Sequence, residues 1–139
     1  MIDDLKIIFL RNYDMNISKR ILVVEDDYDL RCLITDLLLS ADYLVDSVNS
    51  GHLGFEKASK ENFDLILMDI RMPGWDGIET IAGLNMVNSA LKFLIISGHI
   101  SESNLSRLEK AQNVIDIIRK PFDNNHLLRV IQNCFDECE

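Results

Sequence analysis

Short, uninterrupted apolar runs recur along the chain, and they constrain its fold more than any other feature of the sequence. Four are continuous and a weaker one alternates with polar residues; they cover residues 20–24, 43–48, 65–68, 92–96 and 114–118. Each run is too short for a free-standing helix and is bounded by turn-forming residues. Such runs are typical of strands that a parallel sheet buries on both faces, and we expect the fifth run to be buried like the first.

Amphipathic segments separate the apolar runs. After the first run, apolar residues keep the spacing of one helical face at Leu30, Leu33, Ile34, Leu37 and Leu38. Further helices are predicted over residues 51–60 and 77–88, around Leu105 and Leu108, and from residue 124 onward. Asn113 can take the left-handed conformation that ends the fourth helix. Strands joined by right-handed helical crossovers are parallel and carry helices on both faces, so the pattern predicts a doubly wound α/β fold with a five-stranded parallel sheet.

The length and charge of the chain limit its organisation and its partners. A length of 139 residues allows one domain with a proper core, which we assign to residues 19–139. Residues 1–18 do not match the pattern that follows. They form either a tail or a short amphipathic helix, in which Ile2, Leu5 and Ile8 have helical spacing. The formal net charge of −9 disfavours nonspecific binding to nucleic acid or to anionic lipid, so we expect neither as a direct partner.

Cysteine usage and hydropathy indicate the compartment in which the chain works. The three cysteines, Cys32, Cys134 and Cys138, are odd in number and lack metal-like spacing, which is typical of reduced thiols. No apolar run approaches the roughly 20 residues that span a bilayer. The apolar run at residues 7–10 is also too short for a secretory signal. We therefore expect a cytoplasmic protein.

Polar side chains follow four of the predicted strands at the point where each strand ends. They are Glu25 and Asp26 after the first strand, Asp69 after the third, Ser97 after the fourth and Lys120 after the fifth. The carboxyl ends of parallel strands meet at one edge of the sheet, where open α/β folds bind their ligands. Any one of these acids alone could simply cap the next helix. Five such residues at the ends of four strands are much harder to obtain by chance.

Three carboxylates at one edge repel one another, and desolvation raises their pKa values unless a cation lies among them. A hard divalent ion with oxygen ligands, such as Mg²⁺, resolves this conflict. Lys120 adds one positive charge, and Ser97 adds a hydroxyl donor. A metal, an ammonium group and a hydroxyl around a carboxylate nucleophile are the groups that phosphoryl transfer needs, because its catalysis depends on charge stabilisation and in-line positioning.

These residues lie in four motifs, which are Val23-Val24-Glu25-Asp26-Asp27, residues 67–77, Ile95-Ile96-Ser97-Gly98 and Lys120-Pro121-Phe122. With these motifs, the chain resembles the receiver domain of bacterial two-component response regulators over about residues 19–138. The resemblance implies a flavodoxin-like (βα)5 fold with strand order 2-1-3-4-5. It also implies a role in phosphorelay signal transduction, with Mg²⁺ as the cofactor.

The resemblance implies a role for each acid at the strand ends. Asp69 corresponds to the phosphoacceptor, which takes its phosphoryl group from a phosphohistidine on a sensor histidine kinase or phosphotransfer protein. Asp26 corresponds to a direct Mg²⁺ ligand, Glu25 to an acid that acts through water, and the backbone carbonyl of Arg71 to a further ligand. By its position, Asp27 is expected to begin the first helix rather than to bind metal.

The resemblance extends to the residues after the fourth and fifth strands. Ser97 is similar to the switch Ser/Thr that turns toward the acyl phosphate, and Lys120 would neutralise a phosphoryl oxygen. The peptide bond between Lys120 and Pro121 is expected to be cis, as in the family. Three residues before Lys120, relatives often carry an aromatic residue that rotates inward on activation, whereas this chain has Ile117. We therefore expect activation to shift the loop after Ser97 and the fourth helix.

Two variable positions beside the phosphate hold Arg71 and His99. Both side chains are long and can be cationic. They could shield the acyl phosphate and lengthen its lifetime, or a neutral His99 could guide an attacking water. Two exposed loop side chains without a role are the remaining alternative.

Three classes of function compete on these residues. A signalling switch would act on a downstream protein target or on an effector domain outside this sequence, with the fourth helix, fifth strand and fifth helix as a candidate homodimer surface. A pseudo-receiver that only binds partners would typically have lost an acid or the lysine, and neither is missing. A phosphatase of the haloacid dehalogenase class would carry a second Asp two residues after Asp69, where this chain has Arg71. We therefore expect self-catalysed phosphoryl acceptance rather than enzymatic turnover.

Overall fold

Strands and helices alternate along residues 18–136, which are the residues that the computed structural model describes. The strands are β1 Arg20–Val24, β2 Leu44–Val48, β3 Leu65–Asp69, β4 Phe93–Ser97 and β5 Val114–Arg119. The helices are α1 Tyr28–Ser40, α2 Gly51–Lys60, α3 Gly77–Val87, α4 Glu102–Lys110 and α5 Asn124–Asp136. The predicted N-terminal extension, apart from its last residue, and Cys138 lie outside the described residues.

The five strands form one parallel sheet in the order β2-β1-β3-β4-β5. The predicted doubly wound fold and its strand order are therefore confirmed. β3 and β4 are buried along their whole length, whereas β2 and β5 form the two edges. The prediction of a buried fifth strand was wrong: Ile118 is the one buried residue of β5, because an edge strand is covered less completely than a central one.

Apolar side chains pack on both faces of the sheet. In β1, Leu22 and Val24 belong to the core beneath α2, α3 and α4, whereas Ile21 and Val23 belong to the core beneath α1 and α5. Successive side chains of a strand point to opposite faces, so a strand between two helical layers must be apolar at every position. The central strands therefore appear in the sequence as continuous apolar runs.

Side-chain caps begin the helices that follow β1 to β4. In each case the residue before the helix accepts a backbone N–H three residues on; these caps are Asp27, Ser50, Asp76 and Ser101. A cap of this kind contributes about 1 kcal/mol to helix stability. The hydrogen bond from Leu30 N–H to Asp27 Oδ1 (2.9 Å) confirms that Asp27 begins the first helix.

Two local predictions were wrong. Leu33 is 47% exposed. The buried face of α1 is centred on Ile34 and Leu38, and successive helical side chains differ in direction by about 100°, so Leu33 points away from that face. Asn113 does not adopt a left-handed conformation; among the described non-glycine residues only Asp42, after α1, has a positive φ. The Asn113 amide instead donates to the carbonyl oxygen of Leu91 (3.0 Å).

Within residues 18–136, no helix combines the length and the apolar character needed to cross a membrane.

Candidate functional site

The strands bring all five predicted polar residues to one edge of the sheet. Glu25 and Asp26 directly follow β1, and Asp69 and Ser97 are the last residues of β3 and β4. Lys120 follows β5, and its backbone N–H donates to the carbonyl oxygen of Ser97 (2.9 Å). The parallel register thus places side chains that are far apart in sequence on neighbouring strand ends.

Three carboxyl groups form the centre of the site. One oxygen from each of Glu25, Asp26 and Asp69 can be chosen so that all lie within 4.8 Å of one another. Glu25 and Asp69 are only 3% and 6% exposed, whereas Asp26 is exposed to solvent. The cluster is therefore open on the side of Asp26 and closed on the side of the sheet.

The ammonium group of Lys120 lies against the two buried acids. Its Nζ donates to Asp69 Oδ2 (2.9 Å) and to Glu25 Oε1 (3.1 Å). Burial of Lys120 opposes its charge, but the hydrogen bonds to Asp69 and Glu25 outweigh this effect and raise the pKa of the ammonium group above its ordinary value. Lys120 therefore remains charged at neutral pH.

One lysine does not fully offset the acids around it. Burial and the neighbouring Asp69 carboxyl raise the pKa of Glu25 to about 7, although Lys120 acts in the opposite direction. A carboxyl group with such a pKa is in an environment short of positive charge. Carboxylate oxygens are the ligands that hard divalent cations prefer, so the donor set and its charge both fit an ion such as Mg²⁺.

The β3–α3 loop holds the Asp69 side chain in place from the other side. Asp69 Oδ1 accepts the backbone N–H of Arg71 (3.2 Å), whose side chain is exposed. The loop closes where Gly77 N–H donates to the carbonyl oxygen of Ile70 (2.9 Å). A Cβ at Gly77 would lie 2.6 Å from the carbonyl oxygen of Asp69, so only glycine fits at this closure.

The loops after β4 and β5 carry the remaining predicted residues. Ser97 is buried, and its hydroxyl donates to the carbonyl oxygen of His99 (3.1 Å), whose side chain is exposed. Ile117 is half-buried and packs against the core beneath α2, α3 and α4. The Lys120–Pro121 peptide bond is cis.

Sequence reasoning missed Arg31, which supports the β1–α1 loop. Its Nη1 donates to the carbonyl oxygen of Glu25 (2.9 Å), and the carbonyl oxygen of Asp26 is 3.5 Å away. The available signal was its place in the first turn of α1, six residues after Glu25, where a long cation can reach back to the strand end. Arg31 thus helps to hold the backbone that carries two of the three acids.

Comparisons with known proteins agree with this geometry. The family model of the response regulator receiver domain matches residues 21–132. The chain is 33% identical over 114 residues to the response regulator receiver protein CpdR of Brucella abortus (strain 2308), which covers 82% of this chain and 94% of that protein.

Solved structures give the same result. The chain is similar to a CheY-like response regulator receiver domain protein from Methanospirillum hungatei JF-1, with a TM-score of 0.82, 28% identity and coverage of 86% of this chain and 95% of that one. It is also similar to the response regulator protein TrrA of Thermotoga maritima in complex with Mg²⁺ and BeF, with a TM-score of 0.74, 26% identity and coverage of 84% and 99%. The predicted resemblance is confirmed, and the chain belongs to the response regulator receiver domain family of two-component phosphorelay signalling.

Proposed function

We propose that Asp69 accepts a phosphoryl group from a phosphohistidine of a sensor histidine kinase or phosphotransfer protein in a Mg²⁺-dependent reaction. The observation that carries this proposal is the grouping of Glu25, Asp26 and Asp69 within 4.8 Å, with Lys120 Nζ in contact with two of them. A carboxylate nucleophile beside a fixed cation and further acidic ligands is suited to phosphoryl transfer, which depends on positioning and charge stabilisation.

The transfer exchanges one phosphorus bond for another. An oxygen of Asp69 attacks phosphorus and forms an acyl phosphate, while the bond from phosphorus to the histidine nitrogen breaks and the imidazole leaves. Lys120, already 2.9 Å from Asp69 Oδ2, neutralises charge on the incoming phosphoryl oxygens. Mg²⁺ would supply further positive charge to these oxygens, held by Asp26, Asp69 and the backbone carbonyl of Arg71, with Glu25 acting through water.

Switching follows from a change of partner at Ser97. In the unphosphorylated site its hydroxyl donates to the carbonyl oxygen of His99. The acyl phosphate offers a charged acceptor, and hydrogen bonds to charged acceptors are roughly twice as strong as neutral ones. Ser97 therefore turns toward the phosphate and releases the segment that leads to Ile100, which is buried, and then to α4.

A downstream protein would recognise the face formed by α4, β5 and α5, which is also the candidate homodimer surface. A groove of about 440 Å³ between α4 and β5 supports this proposal; its apolar lining includes Leu105, Leu108 and Ile117. Charged residues, among them Glu109 and Arg119, border the groove. Such a mixed surface is typical of regulated protein contacts. A cytoplasmic location fits a partner kinase that presents its phosphohistidine inside the cell.

We propose acceptance of one phosphoryl group rather than enzymatic turnover. A haloacid dehalogenase would use an acid two residues after Asp69 as its proton donor, and this chain has Arg71, which carries no carboxyl group, at that position. A pseudo-receiver is disfavoured because all three acids and the lysine are present and adjacent. Slow loss of the acyl phosphate with one phosphate released per protein is the expected behaviour.

Intact-mass measurement after incubation with acetyl phosphate and Mg²⁺ tests the proposal. The wild type should gain one phosphoryl group, and Asp69→Asn should gain none. Asp76→Asn is the matched control, because Asp76 caps α3 from the same loop and Asn caps equally well, so it should be phosphorylated like the wild type. Chelation of Mg²⁺ should abolish labelling. A phosphorylated Asp69→Asn variant, or an unlabelled wild type, would contradict the assignment.

A further inference from the structure

We propose that the first turn of α2 is a positioning element for the metal site, and that it acts through Trp75. The β3–α3 loop has an inner arm, residues 70–73, and an outer arm, residues 75–76. The outer arm contacts Gly51, His52 and Phe55 of α2. The inner arm carries the Arg71 carbonyl and the N–H that binds Asp69. This inference rests on the proposed function, because it assigns to α2 a part in binding the Mg²⁺ that phosphorylation requires.

The first contact is between backbones. A Cβ at Gly51 would lie 2.6 Å from the carbonyl oxygen of Trp75 and would overlap Thr80 Oγ1. Gly51 is buried, and at this spacing no side chain larger than hydrogen fits without moving the loop or α3. The first turn of α2 therefore lies directly against the peptide unit of Trp75.

Hydrogen bonds fix the position of Thr80, one of the two residues that Gly51 contacts. Thr80 is fully buried, and its hydroxyl donates to the carbonyl oxygen of Asp76 (2.8 Å). The Asp76 side chain in turn accepts the N–H of Glu79 (2.9 Å) at the start of α3. A methyl group at Gly51 would consequently be accommodated by displacement of the Trp75 peptide, which precedes this capped turn.

The second contact is between rings. The indole of Trp75 meets the Phe55 ring edge-on at 5.4 Å between centroids and 73° between planes. It meets the His52 ring at 5.5 Å and 88°. Both are favourable aromatic geometries. Phe55 also packs against the core beneath α2, α3 and α4, so the indole is anchored to the body of the domain.

Because the β3–α3 loop is short and its ends are joined, fixing Trp75 also limits the movement of the part of the loop at the metal site. Its ends are joined by the hydrogen bond from Gly77 N–H to the Ile70 carbonyl oxygen (2.9 Å). Gly74, with a φ of +77°, makes the turn between its arms. With the ends joined and Trp75 held by α2, the Arg71 peptide on the inner arm has little freedom. Linkage makes the effect reciprocal: if the Trp75 contacts favour Mg²⁺ binding, bound Mg²⁺ favours those contacts by the same free energy.

Gly51→Ala tests the inference, with Glu56→Ala as the control. The control changes an exposed side chain of the same helix α2. The Mg²⁺ dissociation constant is measured by calorimetry, and the emission of Trp75, the single tryptophan of the chain, is followed during the same titration. Gly51→Ala should weaken Mg²⁺ binding about tenfold, the lower end of the effect of residues that orient metal ligands. The Mg²⁺ dissociation constant of Glu56→Ala should stay within about twofold of the wild-type value.

A purely structural role for Gly51 gives a different result. In that case the folded fraction falls, but the folded protein binds Mg²⁺ as the wild type does. In the positioning role, saturating Mg²⁺ restores the phosphorylation of Gly51→Ala by acetyl phosphate to the wild-type extent. A folded Gly51→Ala variant with an unchanged dissociation constant overturns the inference.

If Gly51→Ala does not fold, Trp75→Ala decides the question by calorimetry. Loss of the indole frees the outer arm of the loop, so Mg²⁺ binding should weaken at least about threefold; unchanged binding overturns the inference. Different results would contradict the proposed function and the role of α2. A wild type that binds no Mg²⁺ or gains no phosphoryl group contradicts that function, whereas a phosphorylated wild type with Gly51 and Trp75 variants of equal affinity contradicts only the role of α2.

Discussion

The ammonium nitrogen of Lys120 lies 2.9 Å from Oδ2 of Asp69, a residue 51 positions earlier in the chain. It lies 3.1 Å from the Glu25 carboxyl at the same time. One cation therefore serves two buried acids, and the third acid of the cluster faces solvent. Three carboxyl groups beside one ammonium group leave an excess of negative charge at the site, which a divalent ion would offset.

Replacement of Lys120 by Met should destabilise the protein. The substitution keeps the apolar stem but leaves the buried Glu25 and Asp69 without their cation. Removal of one partner from a buried ion pair typically costs 3–5 kcal/mol, and because the Lys120 side chain is 23% exposed we expect about 2 kcal/mol at pH 8. Urea denaturation measures the loss. Lys60→Met, on the exposed end of α2, is the control and should change the free energy of unfolding by less than about 0.5 kcal/mol.

The stability of the metal-free protein should fall as pH rises through the titration of Glu25. The pKa of this carboxyl is about 7 in the folded protein and 4.5 as the ordinary value. Between these values the folded state binds more protons than the unfolded state, so stability is fully present below about pH 4.5 and is lost as pH rises through 7. The loss amounts to at most about 3 kcal/mol.

Glu25→Gln isolates this effect from the titration of other groups. The variant should lose the stability difference between pH 5 and pH 8, while Glu56→Gln, an exposed acid on α2, should follow the wild type. Added Mg²⁺ should flatten the wild-type profile, because a cation stabilises the ionised carboxyl. Wild-type and Glu25→Gln profiles that run parallel across this range would show that Glu25 is not the titrating group.

The number of strands and the positions of the site residues could be predicted because each depends on a local pattern, whereas the strand order was implied by the family resemblance. Each central strand contains a continuous apolar run, so the number of these strands and the ends of their runs are visible in the sequence. The residue after such a run must then lie at the carboxyl edge of the sheet. Glu25, Asp69 and Ser97 follow from that rule alone.

Contacts between separate helices and loops could not be predicted in the same way. The hydrogen bond from Arg31 to the Glu25 carbonyl depends on the direction in which a long side chain turns back from α1. The contact of Gly51 with Trp75 depends on the angle between α2 and the β3–α3 loop, which no spacing along the chain encodes. The exposure of Leu33 shows the same limit within a single helix, because an apolar pattern gives the width of a face but not its centre.

Arg71 and His99 should lengthen the lifetime of the acyl phosphate. Both side chains are exposed beside the site, on the loops that hold Asp69 and Ser97. Cationic groups there would shield the phosphoryl group from water, so Arg71→Ala with His99→Ala should speed the loss of phosphate several-fold. Phosphorylated protein freed of acetyl phosphate is followed by intact mass over time. Slower loss in the double variant would instead assign His99 the role of guiding the attacking water.

Phosphorylation should change the local stability of residues 99–112. Helix α4 has one buried residue, Leu108, and half-buried Leu105, so it is held by few apolar contacts. Because Ile117 cannot act as an aromatic switch residue, we expect the loop after Ser97 and α4 to be the segments that respond. Amide hydrogen exchange with Mg²⁺ and a beryllofluoride phosphate mimic should differ several-fold in residues 99–112 and little in residues 30–38 of α1. Asp69→Asn should show no such difference, and identical exchange in the wild type with and without the mimic would show that activation follows another route.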